Sequence, residues 1–139
     1  MQYTPLICRY YLLVSAAGLF VIAMGYGIAP TDVLPQILQI TVSDRDMIHI
    51  FRAVMGLYLG FVVLWAAGAF VPRMAQAAIL SEVVFMVGLA SGRFLSLLID
   101  GWPSILLTIY LILEAAMAVI GIICLRKLFI LDFACREIG

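Results

Sequence analysis

Apolar positions along this chain collect in four long runs, without the amphipathic helical or strand period of a water-soluble fold. The runs cover residues 10–29, 48–71, 76–99 and 103–125. Each reaches the roughly 20 residues that a helix needs to cross the hydrocarbon of a bilayer. Pro30 closes the first run, Pro72 the second, and Asp100-Gly101-Trp102-Pro103 separates the third from the fourth. The pattern predicts an all-α, integral membrane four-helix bundle, a single transmembrane domain over residues 1–139 with a tail at 126–139. Four crossings bring both termini to one side. The first run exceeds the 7–15 residue apolar core of a secretory signal peptide, so it is read as a retained anchor.

Three details refine the segments between the runs. Val33 to Ile40, with Pro35 inside it, fits one or two turns lying at the interface, and Ser43 followed by Asp46 has the spacing of a capping box that would start the second helix. Trp102 and the pair Tyr10 and Tyr11 fall at interface depth, where aromatic anchors collect. After Leu125, the residues Leu128, Phe129, Ile130, Leu131 and Phe133 mix with Asp132, Arg136 and Glu137. That mixture suits a continued fourth helix and an interfacial or partner-bound tail equally.

Composition points to the same solvent. Of 139 residues, 66% are apolar and only 12% charged, too few charges to clothe a globule this small in water. Eight basic and eight acidic residues cancel, which removes the electrostatic footprint of a nucleic-acid binder. Arg9, Arg73, Arg126, Lys127 and Arg136 lie on the side of the termini, against Arg45 alone in the opposing loops. Cytoplasmic flanks are enriched in Lys and Arg, so both termini and the tail are expected in the cytoplasm. Cys8, Cys124 and Cys135 lack the spacing of a disulfide framework or zinc site and read as reduced thiols. His49 reads as an interface residue. No metal site, cofactor or catalytic residue is expected.

The chemistry is in the spans. Arg52, Glu82, Arg93 and Glu114 are ionisable residues inside apolar runs, each costing about 2.5–3.5 kcal/mol on insertion scales unless compensated. At 100° per residue, Glu82, Arg93 and Asp100 lie within about 20° of one line on the third helix, a line expected to face the bundle. Arg52 shares a stripe with Gly56 and Gly60, and Gly88 and Gly92 repeat that spacing beside Arg93. Such glycine pairs permit close helix packing. Glu114 lines up with Tyr110, Ala118 and Gly121. Measured at 1.5 Å per residue from the helix ends, Arg52, Arg93 and Glu114 lie about 6, 9 and 16 Å deep, within reach of one another. Glu82 lies about 16 Å from Arg93 along the helix, which leaves Arg73, Arg126, water or protonation to compensate it. The cluster of Arg52, Arg93, Glu114, Asp100 and Tyr110 reads either as an ion-pair lock fixing helix register or as a pocket for a head group.

These residues resemble a family of small four-helix bacterial membrane proteins, the domain of unknown function 4345. The resemblance covers about residues 10–125 and rests on Ala29-Pro30, on Arg52 with Gly56 and Gly60, on Gly92-Arg93 followed by Asp100-Gly101-Trp102-Pro103, and on Glu114. Met55, Glu82 and the apolar tail depart from the pattern. It implies a bacterial inner membrane and no established activity.

Two functions compete. The first is a non-enzymatic accessory subunit that packs against a larger membrane complex, since no nucleophile with an adjacent base and no nucleotide loop is present. The second is a binder or carrier of a small amphiphile, a quinone or lipid held by its head group. Acid and base work by Glu114 and Tyr110 has only their one-turn spacing behind it. The partners expected are the lipid bilayer, other membrane protein subunits, and a lipid or quinone.

Overall fold

The computed structural model describes the backbone of residues 4–137 and the side chains of residues 4–130. Among them are five helices and no strand: α1 (Leu6–Gly27), α2 (Pro30–Ile37), α3 (Arg45–Phe70), α4 (Pro72–Asp100) and α5 (Ile105–Glu137). All but α2 are long and apolar enough to cross a membrane. At 1.5 Å per residue, the 22 residues of α1 span about 33 Å, the thickness of the hydrocarbon layer. The chain is an all-helical membrane protein. Its long helices run up and down, so the start of α1, the α3–α4 turn and the end of α5 share one end of the bundle. That end is called the terminal end, and the opposite one, with α2 and the α4–α5 loop, the loop end.

Proline and glycine set the boundaries. Pro30 and Pro72 occupy the first position of α2 and α4, where the missing N–H costs nothing. Val71 alone joins α3 to α4. Gly101 ends α4 at φ 92°, a left-handed conformation that side chains disfavour. Ser104 then starts α5, its Oγ accepting from the Leu107 N–H at 3.4 Å and its carbonyl from Thr108.

The element ends differ from the hydropathy reading in physical ways. Hydropathy locates the hydrocarbon layer, but backbone hydrogen bonds continue past it, so α1 begins at Leu6, α4 at Pro72 and α3 at Arg45. The capping box at Ser43 does not form: Asp44 is the N-cap residue and caps without a side-chain bond. The tail continues α5 to Glu137, and α2 takes up Pro30 to Ile37. Cys135, Arg136 and the apolar residues from Leu131 onward lie outside the described side chains.

Packing is tight at the terminal end and loose at the loop end. Cys8, Leu12, Trp65, Ala78, Ile79 and Cys124 form the fully buried centre. Gly68 lets α3 settle on Ala78 of α4, and Gly121 lets α5 settle on Tyr11 and Val83; a Cβ at either glycine has no room. Buried positions of α4 stop at Val83, barely past its first ten residues. Beyond that point α4 and α5 stay paired with each other, while α1 and α5 hardly touch.

Candidate functional site

That divergence leaves a cleft of about 250 Å³ between α1 and α5, floored by α3 and α4. Its walls are apolar: Leu19, Ile22, Met86, Leu89, Leu113 and Met117 among others. Val14 and Gly18 on α1 and Leu113 on α5 line it and are exposed, so the cleft opens sideways toward lipid. At the loop end α2 packs on α1 and forms, with Tyr26 and Tyr110, a smaller cavity of about 90 Å³.

One ion pair stands in the cleft. Arg93 Nε donates to both carboxylate oxygens of Glu114, at 3.0 Å to Oε1 and 2.9 Å to Oε2. Their side chains are 25% and 11% exposed, and this is the single salt bridge among the described residues. Arg93 lies seven residues before the end of α4 and Glu114 nine residues past the start of α5, antiparallel neighbours joined by a short loop, so the two charges arrive at a similar level. The guanidinium lies over the Tyr110 ring, 5.6 Å from its centroid, close enough for a cation–π contact. Tyr26 of α1 and Tyr58 of α3 close the far side of the cleft, with ring centroids 6.0 Å apart. From there the aromatic packing continues through Phe85, 5.5 Å from Tyr58, to Trp65, 5.5 Å from Phe85.

Arg52 and Asp100 do not join this cluster. Arg52 is exposed on α3, and Asp100 is exposed at the end of α4, accepting a 2.8 Å hydrogen bond from Ser96. α3 turns its large aromatics inward, Tyr58, Phe61 and Trp65, and Arg52 lies about 120° around the helix from Tyr58. The line through Glu82, Arg93 and Asp100 passes from a buried position to a half-buried and then an exposed one, because the bundle opens along it.

The glycine stripes also face the wrong way for close packing. Gly56 and Gly60 lie about 160° around α3 from Tyr58, and a Cβ at Gly56, Gly60, Gly88 or Gly92 would meet nothing within 4 Å. The close approaches fall at Gly27, against Met55, and at Gly68 and Gly121.

Tyr26 and Tyr58 were not singled out from sequence. Phenols within apolar runs are a usable signal, since a buried hydroxyl needs a partner. Glu82 is the other surprise. It is fully buried, and neither carboxyl oxygen has a hydrogen-bond partner among the described residues; Arg73 and Arg126 are exposed and form no ion pair with it. Tyr11 and Ser15 stand beside it, but their hydroxyls donate elsewhere, to the carbonyls of Met117 and Tyr11, both at 2.9 Å. Ser15 lines the cleft, which places Glu82 directly behind its wall.

Among the described residues no three His, Cys, Asp or Glu side chains converge on a point that could hold a metal. Cys8 and Cys124 are free and buried, with Cys8 Sγ 3.9 Å from the Cys124 carbonyl. Fold and site together define a polytopic helical membrane protein with one charged pair in a laterally open cleft. Residues 7–125 match the model of the Domain of unknown function (DUF4345), and the chain belongs to that family. No curated protein and no solved structure matches it.

Proposed function

We propose that the protein binds a small amphiphile taken from the bilayer, the head group against Arg93, Glu114 and Tyr110 and the tail leaving between α1 and α5 toward lipid. The observation that carries this reading is the cleft itself: an apolar, laterally open space with its charged pair and tyrosines gathered toward the loop end. Binding sites for small molecules have this constitution, mostly apolar walls and a few converging polar groups. An ion pair serving only to lock helix register needs no such space beside it. The accessory-subunit reading draws on no structural feature that lipid contact does not already account for.

In this reading the protein sits in a bacterial inner membrane with its terminal end in the cytoplasm, an orientation supported by Arg9, Arg73, Arg126 and Lys127 at that end. A membrane-impermeant thiol reagent applied from outside should then modify Thr41→Cys. Purification in mild detergent followed by organic extraction tests the binding. Wild type should release a stoichiometric amphiphile and Arg93→Leu should not. Equal release from both, or none from wild type, would count against a head-group site.

A further inference from the structure

Resting on that reading, we infer that the site selects an uncharged oxygen acceptor on a flat ring, the chemistry of a quinone head group, over an anionic lipid. Charge is the first ground. Among the described residues Arg93 and Glu114 are the only charged ones lining the cleft, and they neutralise each other. An anion entering would find its countercharge already taken and would stay buried without compensation, which is costly in an apolar site.

The unused hydrogen bonds are the second ground. Arg93 spends Nε on Glu114, and both Glu114 oxygens accept from that one nitrogen. Its two terminal amines, with the Tyr26 hydroxyl beside the guanidinium, make no hydrogen bond to Glu114, so the site offers donors and no net charge. A carbonyl or ether oxygen satisfies donors without bringing a charge.

Shape is the third ground. Tyr110 under the guanidinium, with Tyr26 and Tyr58 across the cleft, gives it ring-sized apolar faces beside the ion pair. An apolar cavity of about 150 Å³ is known to take one benzene. The 250 Å³ available here therefore suits a substituted ring and the first carbons of its tail, with the rest in lipid.

Two probes with matched tails separate these chemistries: a decyl-substituted benzoquinone and decanoate, titrated calorimetrically against the protein in zwitterionic nanodiscs. Wild type should bind the quinone about tenfold more tightly than decanoate, or better. Glu114→Gln leaves the guanidinium uncompensated, so decanoate should gain about tenfold while the quinone changes far less. Equal or tighter binding of decanoate to wild type overturns the inference, and that ratio decides by itself if Glu114→Gln does not fold. Gly18→Phe projects a ring into the cleft from a position where a Cβ meets nothing, and it should abolish binding of both probes. A decanoate preference abolished by Gly18→Phe would refute the quinone chemistry and leave an amphiphile site. Absence of binding, or binding indifferent to Gly18→Phe, would refute the site as well.

Discussion

Arg93 and Glu114 are worth more together than the sum of their parts. Removing one strands the other in low dielectric, a loss of about 3–5 kcal/mol for a buried pair. Arg93→Leu and Glu114→Leu should therefore each lower the folded fraction in detergent more than the double variant does, and a double-mutant cycle isolates the coupling. Simple additivity of the single effects would mean that the pair contributes nothing. Glu82 should respond with the opposite sign. Its oxygens have no hydrogen-bond partner among the described residues, so Glu82→Met removes an unsatisfied polar group and should raise stability by about 1–3 kcal/mol, read as a higher unfolding temperature. Destabilisation on the scale of Arg93→Leu would show that Glu82 does have a partner. The pairing of Arg93 with Glu114 was legible because opposite charges on consecutive helices at similar depth have few alternatives. Arg52 was misplaced for a specific reason. Periodicity says which residues share a face, but in lipid both faces are apolar, so hydrophobicity does not tell which face turns inward.

Among elements, the same lack of contrast hides the packing glycines. The spacing motif marks Gly56 with Gly60 and Gly88 with Gly92, yet all four have open space around them. Gly27, Gly68 and Gly121 stand in no such glycine pair and carry the close contacts. What reveals them is the side chain opposite, Met55, Ala78 or Tyr11, which belongs to another helix and is invisible along one. Gly121→Leu and Gly68→Leu should thus prevent folding or lower the melting temperature severely. Gly88→Ala and Gly92→Ala should be neutral or mildly stabilising, by up to about 1 kcal/mol each from helix propensity. Equal sensitivity at both sets, measured by thermal unfolding in detergent, would mean that α4 packs on the stripe face after all. Helix ends show a related limit: the four spans follow from hydropathy, whereas α2 and the extension of α5 to Glu137 follow from backbone bonding beyond the apolar layer.

At the scale of the molecule, the bundle is closed at one end and parted at the other. Small residues at the terminal end, Gly68, Ala78 and Gly121, draw the helices together. Toward the loop end Tyr26, Tyr58 and Phe85 fill α3's side of the bundle and nothing seals α1 to α5. The lateral cleft is a consequence of where small and large side chains fall on four helices at once, which no single run of sequence displays. Its function as a site for a membrane amphiphile is the central claim, and native mass spectrometry of the protein ejected from lipid nanodiscs tests it most directly. Wild type should retain one small amphiphile per chain, and Gly18→Phe, with unchanged helicity and melting temperature, should retain none. A wild-type protein that emerges bare, or a Gly18→Phe protein that keeps the same adduct, would contradict the account.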